Sequence, residues 1–190
     1  ADALSGALDS SNGTDETSGT VAVGKSALAA LRTGARNVAV GFQALKDSET
    51  ADDNVAVGYL ALTGSSNGSS IQNVAIGNYT LDNIGANAAV KNTAVGHNAL
   101  SGVTTGDENC ALGRGAGVSV STGSVNTCLG NDTGTVVTTG SNNTFVGVGA
   151  NADTNSDSYH VRLGHLGGLK YFTARYTLDN SYTGTPADGK

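Results

Sequence analysis

The stretch "NVAVGFQAL" at residues 37–45 decides the fold, because it returns as "NVAVGYLAL" at residues 54–62. The glycine in this phrase occurs nine times, and the intervals between its successive positions are 17, 17, 19, 19, 17, 17, 17 and 17. Its nine positions are Gly24, Gly41, Gly58, Gly77, Gly96, Gly113, Gly130, Gly147 and Gly164. Self-similarity at a fixed period is typical of solenoids, in which each repeat buries its apolar face only against its neighbours. The sequence therefore predicts a repeat domain of about nine coils over residues 20–164.

The short period favours β-structure. A crossover helix alone takes about 10 to 12 residues, so a single coil has no room for a strand, a helix and a return. Before each glycine, two mostly branched residues flank a small one, as in Val38-Ala39-Val40, and side chains two apart share one face of a strand. The Ala44-Leu45 pair after the glycine predicts a second short strand. The predicted fold class is all-β, a parallel β-solenoid with coils of about 17–19 residues.

Asparagine stands four residues before the glycine in seven of the nine repeats. Parallel stacking puts equivalent residues of neighbouring coils about 4.8 Å apart. We therefore expect a ladder in which each side-chain amide bonds to its equivalents or caps the turn. The glycine supplies the backbone conformation that a sharp corner needs.

The residue between the two branched positions is alanine in six consecutive repeats. We predict that the branched side chains form the core of the coil and that the small ones point to the opposite face. An unbroken column of alanine on an outer face indicates close approach of another surface, such as a second chain. The predicted chain-to-chain contact residues are Ala22, Ala39, Ala56, Ala75, Ala94, Ala111 and Cys128.

Composition and charge exclude several classes of partner. The chain has 28 glycines, no methionine and no tryptophan, which fits thin apolar layers better than a deep core. The formal net charge is −6 and the ten basic residues are scattered, so nucleic acid is not an expected partner. There is no run of about 18 apolar residues that would predict membrane insertion.

No catalytic or metal-binding constellation stands out from the repeat. His97, His160 and His165 do not follow metal-ligand spacing. The acidic stretches at 47–53 and 106–109 are interpreted as solvated loops, with calcium binding as the alternative. Cys110 and Cys128 occupy different repeat positions, so no intrachain disulfide is expected. We predict a protein that is not an enzyme and holds no cofactor or metal.

The two ends of the chain depart from the repeat. Residues 1–19 are polar and predict a leading segment or partial coil, and residues 165–190 predict a cap or linker at the other end. The chain begins at Ala1 without methionine, which favours an excised piece of something longer over a processed mature terminus.

The pattern N-x-A-x-G-x-x-A-L, as in "NTAVGHNAL" at 92–100, together with "TTGSNNTFVG" at 138–147, resembles the head repeats of trimeric autotransporter adhesins. It is still more similar to the longer-period β-roll repeat of phage and viral tail fibres. The resemblance covers about residues 20–164. It implies a left-handed parallel β-roll, a homotrimer of three chains side by side around a common axis, and an extracellular fibre on a virion or, alternatively, on a bacterial cell surface.

The function expected from this resemblance is a structural and adhesive segment of a surface fibre that contributes to host attachment. A bacterial adhesin head and a polysaccharide-degrading trimeric spike are the alternatives. The position after each glycine varies while its neighbours stay fixed, which suits a surface that binds a host glycan or protein receptor. The candidate binding residues there are Phe42, Tyr59, Asn78, His97 and Arg114.

Overall fold

The computed structural model describes residues 19–64, 71–85 and 89–164. The predicted cap at 165–190 and all but the last residue of the leading segment lie outside this range, as does His165. The described chain forms nine strands of three residues each, in one parallel sheet whose spatial order is the chain order. The strands are β1 (Val21–Val23), β2 (Val38–Val40), β3 (Val55–Val57), β4 (Val74–Ile76), β5 (Thr93–Val95), β6 (Cys110–Leu112), β7 (Thr127–Leu129), β8 (Thr144–Val146) and β9 (Val161–Leu163).

The strand register follows the sequence repeat without a slip. Ala39 pairs with Ala56 across one of the shorter coils, and Ala56 pairs with Ala75 across one of the two longer coils. The extra length of the longer coils is therefore absorbed outside the strands. The β-solenoid predicted from the period is confirmed.

The second strand predicted after the glycine is wrong. Gln43 and Leu45 have φ angles of 56° and 51°, and the same left-handed values recur at the equivalent positions of later coils. A chain that alternates into the left-handed region cannot extend as a strand. The segment is instead a series of turns that bonds to the next coil, as where the Leu45 N–H donates to the Ala61 carbonyl at 2.9 Å.

The core lies on the opposite face of the strands from the one predicted. Ala39 and Ala56 have no exposed surface, whereas Val38 and Val40 on either side of Ala39 are half-exposed. The strand alanine packs inward with the alanine-leucine pair that stands three and four positions after the glycine, and a third inward column stands seven positions after the glycine. The third column is Leu31, Ser48, Ile84, Val103, Val120 and Val137.

The predicted chain-to-chain contacts must be corrected accordingly. Ala39, Ala56, Ala75, Ala94, Ala111 and Cys128 are all buried within the single chain, and Ala22 is half-buried against the same core. The interior of so short a coil is narrow, so a strand side chain that faces leucine across it has room for little more than a methyl group. Small size here marks the inside of the coil, not a contact with another chain.

The asparagine ladder is confirmed in the core. The Asn54 N–H and Nδ2 both donate to the Asn37 Oδ1 at 3.1 Å, and equivalent bonds continue up to Asn143. The amides also bond to backbone carbonyls, so each rung ties three segments together. The corner needs glycine for two reasons. Gly41 has a φ of 141°, which residues with a side chain rarely adopt, and a Cβ on Gly41 would lie only 2.2 Å from the Gly58 carbonyl oxygen.

The core is repacked in the later coils, where the inward leucine is replaced by Gly117 and Gly134. A Cβ on Gly134 would lie 2.4 Å from the Cys128 Sγ and 3.4 Å from Phe145, so larger residues at the alanine position fill the space that leucine leaves. The strand register stays unchanged through β9. The change of sequence near residue 110 is thus an exchange of volume between two core columns.

Candidate binding surfaces

The outward strand positions form what we call the aliphatic stripe, a band two side chains wide along the whole sheet. Val23 is 55% exposed and Leu112 is 49% exposed. None of the side chains in the band carries a charge. Its members are Val21, Val38, Val55, Val74, Thr93, Cys110, Thr127, Thr144 and Val161 in one column, and Val23, Val40, Val57, Ile76, Val95, Leu112, Leu129, Val146 and Leu163 in the other.

A second surface, the aromatic ladder, consists of Phe42, Tyr59, Tyr79 and His97. The Phe42 and Tyr59 rings are stacked within 10° of parallel, with centroids 5.3 Å apart. Tyr79 is turned by 70° from Tyr59 at 5.3 Å, and His97 by 68° from Tyr79 at 5.8 Å. The solenoid builds this array because each ring comes one or two positions after the same corner glycine in four successive coils.

The structure brings together three of the five predicted binding residues. Phe42, Tyr59 and His97 join the aromatic ladder, while Asn78 accepts a hydrogen bond from the Tyr59 N–H through its Oδ1 at 3.0 Å. Arg114 lies beyond the ladder and forms an ion pair with Asp132. In this coil the ring of the ladder comes from Tyr79, the residue after Asn78.

Sequence reasoning missed Tyr79 because it stands two positions after Gly77 instead of one. The position two after the glycine carries Gln43, Leu60 and Asn98 in neighbouring coils, so it shows no aromatic pattern. The sequence signal that could have found Tyr79 is an aromatic residue directly after a candidate binding residue, Asn78.

The acidic residues of the predicted loops bond between coils. The Asp52 Oδ1 accepts the Ala35 N–H at 2.8 Å, and the Asp53 carboxylate pairs with the Arg36 guanidinium. That hydrogen bond lowers the pKa of Asp53 and raises the pKa of Arg36. Asp107 repeats the role of Asp52 by accepting the Val90 N–H at 2.8 Å. These carboxylates therefore stabilise the contact between neighbouring coils in the loops that precede the strands.

The two cysteines lie on opposite faces of the sheet. The predicted faces were reversed: the position of Cys110 was expected in the core and that of Cys128 on the outside. Cys110 is exposed on the aliphatic stripe, and Cys128 is buried in the core. Burial raises the pKa of the Cys128 thiol to about 12, with a smaller contribution from Cys110. Both thiols are free.

Within the described ranges, no three His, Cys, Asp or Glu side chains lie close enough together to hold a metal ion. The same part of the chain has no helix of the length and apolar character needed to cross a membrane. Comparison of the chain with protein-family models, curated proteins and solved structures finds no match.

Proposed function

We propose that this chain is a structural and adhesive segment of a trimeric, extracellular fibre of the phage or viral tail-fibre type, which contributes to attachment without catalysis. The aliphatic stripe is the observation that carries the proposal. It is uncharged over its whole length and exposed in a single chain, and contiguous exposed patches of several hundred Å² often mark sites of interaction.

The dimensions of the stripe suit lengthwise association. Nine strands at about 4.8 Å spacing give a length of about 38 Å, and three residues at about 3.3 Å each give a width of about 10 Å. The resulting area of roughly 400 Å² is a substantial part of the roughly 800 Å² that each partner contributes to a standard interface. Three such faces meeting around one axis would cover the stripe and leave the aromatic ladder at the edge of the contact.

The proposed interface lies on the aliphatic stripe and not, as the sequence predicted, on the alanine column. A side chain with no exposed surface in the single chain cannot contact a second chain, whereas the branched side chains are available. The alternative, a bacterial adhesin head, implies the same side-by-side trimer. The two alternatives therefore share the interface and differ only in whether the segment is carried by a virion or by a bacterial cell.

Mass measurement by light scattering tests this interface, together with the reaction rate of Cys110 towards a thiol reagent. We expect a mass of three chains and slow labelling of Cys110, because the stripe is covered. Leu112→Glu should place a charge in the interface, release single chains and expose Cys110. Val136→Glu is the matched control, because Val136 is an exposed valine outside the stripe. A wild-type monomer would refute the proposal, and a trimer with rapidly labelled Cys110 would refute the stripe as its interface.

A further inference from the structure

We infer that the aromatic ladder is a binding site for a short linear glycan lying along the fibre axis. This inference rests on the attachment function proposed above and names its ligand class. The ladder spans four coils, a length of about 14 Å at about 4.8 Å per coil. Its rings are substantially exposed: Phe42 by 37%, Tyr59 by 41% and Tyr79 by 36%.

The ladder differs from the aliphatic stripe in extent. The stripe runs through every strand, whereas the ladder is confined to four coils and is followed at each end by a basic side chain, Lys25 or Arg114, at the equivalent position. An area about 14 Å long and one side chain wide is of the order of 100 Å². That is far too small for a stable contact between two proteins, which needs about 800 Å² from each partner. A small extended ligand fits the dimensions.

The chemistry of the ladder is amphipathic in the way that a sugar chain requires. A pyranose ring has C–H groups that pack on aromatic rings and hydroxyl groups at its edge that need hydrogen-bond partners. The ladder provides rings at nearly constant spacing, and two of these rings, Tyr59 and Tyr79, carry hydroxyl groups that can donate and accept hydrogen bonds. The His97 imidazole adds one nitrogen donor and one acceptor in its neutral form.

Two other extended ligands fit this surface less well. A peptide that adds a strand needs a free sheet edge, and the strands β2 to β5 beside the ladder are paired on both sides. A single-stranded nucleic acid also stacks on aromatic rings, but it needs a groove lined with basic residues, and this chain has a net charge of −6. A glycan needs neither a free edge nor a basic groove.

The test is titration of the full chain with chitotetraose, cellotetraose, mannotetraose and a hyaluronan tetrasaccharide, followed through the aromatic resonances in NMR spectra. We expect at least one to shift the Tyr59 and Tyr79 resonances with a Kd of about 1 mM or tighter. Tyr59→Ala and Tyr79→Ala should each weaken that binding by about three- to tenfold, the usual worth of an aromatic contact. Tyr159→Ala is the matched control, because Tyr159 is 79% exposed and has a φ of 63°, close to the 56° of Tyr79. Its affinity should equal that of the wild type.

Absence of any shift with all four oligosaccharides would overturn the inference, as would binding that persists unchanged in both ladder variants. Attachment of labelled chains to bacterial and animal cells separates this result from the proposed function. If the trimeric Tyr59→Ala/Tyr79→Ala chain attaches as well as the wild type, the ladder inference is wrong and the fibre proposal stands. If the wild type is monomeric and attaches to nothing, the fibre proposal fails, and the oligosaccharide titration still decides the role of the ladder.

Discussion

Removal of one rung from the middle of the asparagine ladder should destabilise the solenoid severely. The Asn92 Oδ1 accepts the Asn109 N–H at 2.9 Å and the Asn109 Nδ2 at 3.1 Å, and its own Nδ2 donates to the Gly106 carbonyl at 2.9 Å. Asn92→Ala leaves the Asn109 N–H and the Gly106 oxygen buried without these partners, at about 1 to 3 kcal/mol each, in addition to the lost bond to Nδ2. We expect a loss of about 3 to 5 kcal/mol, a large share of the stability of an ordinary domain.

Urea unfolding followed by circular dichroism, at one fixed chain concentration, measures this loss. Asn155→Ala is the control, since Asn155 is exposed and its change should stay within about 0.5 kcal/mol. Asn92→Asp keeps the shape but replaces the amide donor with an oxygen facing the Gly106 carbonyl. The folded-state pKa of that buried carboxyl should be raised, so the loss should be small in acid and grow as the pH rises through that pKa. Equal stability of Asn92→Ala and Asn155→Ala would refute the role of the ladder.

Three further experiments test the core. Ser48→Ala should stabilise the chain by about 1 kcal/mol in the same urea assay, because the Ser48 hydroxyl is buried and has no hydrogen-bond partner among the described residues. A loss of stability would contradict this. Native chain treated with iodoacetamide near pH 8 should not be labelled at Cys128, whose raised pKa keeps it a buried neutral thiol, and mass spectrometry after denaturation should then show Cys128 reactive. Gly134→Leu and Cys128→Ala should each lower the free energy of unfolding. The loss in the double variant should be smaller than the sum of the two single losses by at least about 1 kcal/mol, because the larger side chain fills the space that the smaller one leaves. Strictly additive losses would refute the exchange of volume between the two columns.

The period and the strand register could be predicted from the sequence because both depend on residues that recur at fixed spacing. Asn37 and Asn54 bond to each other in the structure as their alignment implied, and Ala39 pairs with Ala56. In a parallel stack, each residue meets its own equivalent. Residues that align between successive repeats are therefore predicted to contact each other in neighbouring coils.

The turn after the glycine could not be predicted in the same way. Ala44-Leu45 is an apolar pair that suits a strand by composition, yet Leu45 has a φ of 51°. A left-handed leucine is unfavourable when isolated and is held here by bonds to the coils on each side. Such an effect comes from the assembled stack and leaves no signal at Leu45 itself. The signal lies in later repeats, where the equivalent left-handed positions carry Gly117 and Gly134.

The face of the strand that lies inside was also not predictable from alternation, which shows only that Val38 and Val40 share a face and Ala39 has the other. The usual rule places the larger apolar side chains inside, and it fails where the interior is narrow. The exchange at Gly134 contains the missing information: a loss of leucine from one column accompanies a gain of volume at Cys128 and Phe145 in the other. Two columns that exchange volume must face each other across one core. That relation places the small residues inside the roll and the branched residues on its surface.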